Sequence, residues 1–119
     1  MSDKKELVNQ YMFLLDALAD KRGLDITLMD LGEKSTISDT FILVTANSDI
    51  HMGTLLNATE EAIDKKGVSS IIEGRNSTQW CLIDAGNIVI HIFSRKGREF
   101  YHLEKVWGDC PSYSYEYLD

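Results

Sequence analysis

The sequence predicts a single α/β domain built on a mixed β-sheet with flanking helices. Three observations predict it. The chain has 119 residues, 44% of them hydrophobic, enough for one core of ordinary size. Two long segments carry apolar residues at helical spacing and alternate with short apolar runs of strand length. Two of those runs are joined by Ala85-Gly86-Asn87, a strong hairpin signal.

Residues 3 to 22 read as the first helix. Leu7, Tyr11, Leu14, Leu15 and Leu18 make one continuous stripe. Asp3 with Glu6 suggests a capping box, and Gly23 after Lys21-Arg22 suggests the stop. Ile26 to Leu31 reads as a short strand. Phe41-Ile42-Leu43-Val44 is a second, with no polar alternation, so both its faces should be covered. Asn47-Ser48-Asp49 supplies helix-start chemistry, and Met52, Leu55, Leu56, Thr59 and Ile63 come next at helical spacing. Lys65-Lys66-Gly67 ends that helix. Val68 to Ile72 is a connection or a short strand.

Gln79 to Asp84 and Ile88 to Phe93 form the hairpin. Val89, His91 and Phe93 share one face of its second strand, and Trp80, Leu82 and Asp84 share a face of its first. Arg95-Lys96-Gly97-Arg98 reads as a basic turn. Glu99 to Val106 reads as a short helix with Phe100, Leu103, Val106 and Trp107 inward. Residues 1 to 107 then form the domain. Residues 108 to 119 form an acidic, tyrosine-rich C-terminal tail that hangs off the domain or lies along its surface.

A formal net charge of −7 argues against broad binding to phosphate backbones, so little direct nucleic-acid contact is expected. It suits docking on a basic protein, where opposite potentials steer encounter. Cys81 and Cys110 lack zinc or CxxC spacing and read as reduced thiols of a cytoplasmic protein. No run approaches the roughly 20 apolar residues of a membrane span, so no membrane partner is expected.

The residues offer little for catalysis. His51, His91 and His102 have no metal-binding spacing, and His91 reads as a hydrogen-bonded structural residue. No phosphate-loop or nucleophile-elbow motif is present. Ser48 at a strand-to-helix turn suits an anion, and with Asp30, Asp39 and Asp84 it would make a nucleotidyltransferase site. No Asp-x-Asp pair comes after the turn, and a plain helix cap accounts for Ser48. Arg95, Lys96 and Arg98 suit either a phosphate or a solvated surface. No residue is assigned as catalytic or as a metal ligand, and no cofactor is expected.

Three segments carry a resemblance. The first is Ser38-Asp39-Thr40-Phe41-Ile42-Leu43-Val44-Thr45-Ala46-Asn47-Ser48. The second runs from Glu73-Gly74 through Trp80-Cys81-Leu82-Ile83-Asp84 and Gly86-Asn87 to Ile88-Val89-Ile90-His91-Ile92-Phe93. The third is Arg98, Tyr101, Leu103-Glu104 and Trp107. In this order they resemble the Iojap-type ribosomal silencing factors. Asn87 stands where the family more often has aspartate, and Ile50-His51-Met52-Gly53 replaces a more usual start to the helix. The resemblance implies a nucleotidyltransferase-like fold without catalytic carboxylates, and a protein that is not an enzyme. It implies docking on the large ribosomal subunit, on its ribosomal protein numbered fourteen, where the chain stands in the way of the small subunit. It also implies repressed translation when nutrients are scarce, and a homodimer off the ribosome.

For the partner-binding surface, Trp80, Phe93, Tyr101 and Trp107 are the expected aromatic anchors. Asp39, Glu73, Asp84, His91 and Glu104 are the expected polar contacts. The competing expectation for each aromatic is ordinary core packing. Two other functions compete: the nucleotidyltransferase above, and a dimeric adaptor pairing its hairpin face with a copy of itself and serving another partner.

Overall fold

The leucine stripe of the first helix, α1 (Asp3–Asp20), meets a six-stranded sheet, and that contact organises the core. The computed structural model of the chain describes residues 3–32 and 38–117. The expected capping box rests on the Asp3 side chain and lies outside the described residues. At the other end of α1, Gly23 N–H donates to the Leu18 carbonyl and Arg22 N–H to the Ala19 carbonyl, each at 2.9 Å. This paired closure places the second residue past the helix in the left-handed region. That residue is Arg22 (φ 64), not Gly23. Gly23 is required for another reason: a Cβ there would lie 2.6 Å from Val44 Cγ2.

The strands are β1 (Leu24–Asp30), β2 (Thr40–Ala46), β3 (Ile71–Glu73), β4 (Trp80–Asp84), β5 (Ile88–Ser94) and β6 (Ser112–Ser114). Their order across the sheet is β3-β4-β5-β2-β1-β6. The β2–β5 pair is parallel and the other pairs are antiparallel, so the sheet is mixed as expected. Every residue of β2 is buried, as its unbroken apolar run predicts for a central strand. The helix α2 (Asp49–Lys65) comes directly after β2. The Ser48 hydroxyl accepts from His51 N–H, and Gly67 (φ 72) closes the far end. His51 also ties the two helices together. Its Nδ1 accepts from Asn47 N–H, and its Nε2 lies 2.8 Å from the Lys21 carbonyl oxygen.

Strand alternation divides the core in two. Leu28, Ile42, Val44, Ile83, Ile90 and Ile92 pack under α1 and α2. Met29, Leu31, Phe41, Leu43, Val89 and Phe93 point to the opposite face. Among the described residues, that second face is covered by the chain beyond β5, and there the sequence-based expectation needs correction. Arg95 to Arg98 is no turn. It opens the helix α3 (Arg95–Tyr101), capped by the Ser94 hydroxyl. The single helix expected over 99 to 106 is broken at His102 (φ 46), and α4 (Leu103–Val106) starts anew. Phe100 and Val106, expected inward, are exposed. Leu103 and Trp107 do pack on the second cluster.

Residues 108–117 lie along the domain. Cys110 is buried in the second cluster, and β6 pairs with β1 at the sheet edge. Asp30 N–H donates to the Pro111 carbonyl at 2.9 Å. The Tyr115 hydroxyl donates to Asp16 of α1 at 2.8 Å.

Candidate functional site

The second face of the sheet gathers most of the expected site residues. Register sets Trp80 opposite Phe93, Leu82 opposite His91 and Asp84 opposite Val89 across β4 and β5. It sets Glu73 of β3 opposite Leu82, so Glu73 shares this face. Tyr101 reaches it from the end of α3, and Trp107 from just past α4. The rings touch one after another. Trp80 stacks on Phe93 with centroids 5.4 Å apart, and Tyr101 lies 4.5 Å from Trp80. On the other flank, Phe41 meets His91 at 4.4 Å and Trp107 at 6.1 Å, both edge-on. Such tilted and edge-on pairs suit the ring quadrupoles.

His91 sits in the middle. The Trp80 indole N–H donates to its Nδ1 at 3.0 Å. An indole nitrogen only donates, so the imidazole proton resides on Nε2. That Nε2 is buried and has no hydrogen-bond partner among the described residues. Burial pushes the His91 pKa down from 6.5 to about 4, so the ring is neutral near pH 7.

Arg98 fixes the cover to the sheet. Its Nε and Nη2 lie 2.9 and 2.8 Å from Glu104 Oε2 on α4. Its Nη1 donates to the Asp25 carbonyl at 2.9 Å and to Thr45 Oγ1 at 3.1 Å. Its Nη2 donates to Thr27 Oγ1 at 3.1 Å. One guanidinium therefore joins α3, α4, β1 and β2. The sequence suits Arg98 to a phosphate or to a solvated surface; the structure turns it inward. The sequence carries no local signal for this, because the acceptors on Asp25, Thr27 and Thr45 are remote along the chain.

The expected residues divide into groups. Trp80, Tyr101 and Trp107 are partly exposed on this face. Phe93 and His91 are buried, so they form a floor beneath those rings rather than a contact surface. Glu73 is exposed. Asp84 accepts from Gly86 N–H at 2.9 Å and shapes the hairpin turn. Glu104 is engaged by Arg98. Asp39 stands apart. It precedes β2, and its charge acts on Tyr11 of α1, whose pKa is raised by burial first and by Asp39 second.

The nucleotidyltransferase arrangement does not assemble. Ser48 lies beyond the carboxyl end of β2, whereas Asp39 precedes its other end. Asp30 pairs with Thr40, which pairs with Ile88, and Asp84 pairs with Val89, so all three carboxylates lie at the far end of the sheet. A strand of this length separates its ends by about 20 Å, too far to converge on one metal site. Among the described residues no group of three or more His, Cys, Asp or Glu is placed to hold a metal. No described helix is long and apolar enough to cross a membrane.

Comparison with known proteins places this fold in context. The family described as "Ribosomal silencing factor during starvation" matches residues 4–119. The chain is 34% identical over 108 residues to the ribosomal silencing factor RsfS of Bacillus subtilis, covering 87% of this chain and 92% of that one. It is 26% identical to a mouse protein named for mitochondrial assembly of the ribosomal large subunit, covering 79% of this chain and 43% of the mouse protein. The protein Iojap of maize chloroplasts is 27% identical, covering 91% of this chain and 47% of the maize protein. A crystal structure of a protein from Chromobacterium violaceum superimposes with a TM-score of 0.78 at 30% identity, covering 82% of each chain. The chain therefore belongs to the ribosomal silencing factor family, a family of regulators and not of enzymes.

Proposed function

We propose that this protein docks on the large ribosomal subunit with the aromatic side of its sheet, on the ribosomal protein numbered fourteen, and thereby keeps the small subunit from joining. The observation that carries this reading is the incomplete cover of the second face. Phe100 is 77% exposed, Val106 67% and Tyr101 39%, and they adjoin the partly buried Trp80 and Trp107. Aromatic anchors over a packed floor are the usual source of affinity at protein interfaces. Family membership supports a ribosomal partner, and the name of the mouse relative supports the large subunit.

The charge of −7 suits a basic ribosomal protein better than the rRNA backbone. Arg98 is engaged inside the domain, and Arg95 donates to Asn47, which leaves fewer cations for phosphate. The action is occupancy: a body of 40 × 32 × 29 Å at the subunit interface excludes the bridges between subunits. The effect is repression of translation in the cytoplasm under nutrient limitation, with a homodimer as the form off the ribosome.

Co-sedimentation with separated subunits tests this. The protein pellets with large and not with small subunits, and Trp80→Ala weakens that binding about tenfold or more, as expected for an interface anchor. Equal binding of Trp80→Ala and the parent protein would remove the aromatic face from the account.

A further inference from the structure

We propose that Arg98 and Glu104 are positioning residues: they lock the α3–α4 turn so that Tyr101 and Trp107 stand on the aromatic face, and they do not themselves contact the partner. This rests on the reading of that face as the docking surface. The sequence places Glu104 among the acidic contacts for a basic partner, and places Arg98 on the surface. The geometry assigns both a different task.

A guanidinium carries five N–H donors. Those of Arg98 meet Glu104 through Nε and Nη2, the Asp25 carbonyl and Thr45 through Nη1, and Thr27 through Nη2. The Arg98 side chain is 13% exposed. No donor is left over for a partner. The clamp also spans two points of backbone strain. Asp25, whose carbonyl it grips, has φ 48, and His102, between Arg98 and Glu104, has φ 46. A non-glycine residue in the left-handed region persists only where surrounding contacts impose it. Here the Arg98–Glu104 pair closes the chain across His102, and His102 N–H donates to the Arg98 carbonyl at 3.0 Å. Tyr101 immediately precedes that strained residue, and Trp107 N–H is anchored to the Leu103 carbonyl just beyond it. Release of the clamp frees the turn that presents both rings.

The two roles predict opposite signs. If Arg98 and Glu104 acted through surface charge, removing the cation Arg98 from an acidic protein would strengthen docking on a basic partner. Positioning predicts that Arg98→Met weakens it. The experiment measures binding to purified large subunits by co-sedimentation, with tryptophan emission and amide exchange over residues 99–107 recorded on each free variant. We expect Arg98→Met to bind about tenfold more weakly or worse, a loss of about 1.4 kcal/mol, with red-shifted emission and faster exchange. Glu104→Gln keeps an oxygen facing Arg98 and is isosteric. It should bind within about threefold of the parent, since its amide oxygen still accepts from Arg98. Stronger binding by Arg98→Met, or loss of binding by Glu104→Gln with unaltered emission and exchange, overturns the proposal. If the parent protein ignores large subunits, the docking reading fails separately. The clamp is then judged on exchange and emission alone, and unchanged values in Arg98→Met refute it.

Discussion

His91 shows how one residue sets a condition on the whole face. Its pKa falls from 6.5 to about 4 on folding because burial disfavours the charged ring. The unfolded chain therefore binds a proton more readily below pH 6.5. The stability that depends on a neutral His91 is fully present above pH 6.5 and is lost as pH falls toward 4. The loss by pH 4.5 amounts to about 2–3 kcal/mol. His91→Gln retains an acceptor for the Trp80 indole and does not titrate. Urea unfolding at pH 7 and pH 4.5 should show a smaller acid loss in that variant by about 2 kcal/mol. Equal losses in both proteins would mean that other groups control acid sensitivity. At this scale the sequence is a partial guide. The alternation of β5 places His91 with Val89 and Phe93 on one face. It cannot show that Arg98 points inward, because the acceptors come from Asp25, Thr27 and Thr45, far away along the chain.

Among the elements, those with strong local signals are legible in the sequence and those fixed by tertiary contacts are not. The apolar run of β2, the hairpin of β4 and β5 and the two long amphipathic helices have periods that a short window reveals. The break between α3 and α4 has no such signal, since His102 rather than a glycine takes the left-handed position. The strand β6 has three residues, too few to show a period, and its partner β1 is remote in sequence. Two of these placements can be tested by stability. Gly97 lies against the backbone of Gln79, and a Cβ there would overlap the Gln79 carbonyl oxygen. Gly97→Ala should push α3 off the end of β4 and cost about 1–3 kcal/mol in a thermal or urea melt. A melt like that of the parent would contradict this packing. Truncation after residue 107 removes Cys110 from the second cluster and Tyr113 from the first, and leaves β1 paired with β2 alone at the sheet edge. It should lower stability by about 2–4 kcal/mol and speed amide exchange in β1. Unchanged exchange at Leu28 and Asp30, whose N–H groups face β6, would show that residues 108–117 do not support the sheet.

For the whole molecule, two layers of unequal finish explain the proposed action. One face of the sheet is closed by α1 and α2, while the other is left with rings at its surface under a short, clamped cover. The excess of 19 acidic over 12 basic residues gives the molecule a net negative field. Binding driven by such a field weakens as salt screens it, with a Debye length of about 10 Å at 0.1 M salt and 3 Å at 1 M. Affinity for large subunits should therefore fall between low and high salt while the protein stays folded. A salt-independent affinity would leave the aromatic contacts as its sole source.

The most direct measurement is the light scattering of purified large and small subunits as they join, with this protein added to the large subunits first. The account predicts that the amplitude of association falls in proportion to the fraction of large subunits occupied, and recovers with Trp80→Ala at the same concentration. Full association by large subunits demonstrably carrying the protein would contradict it.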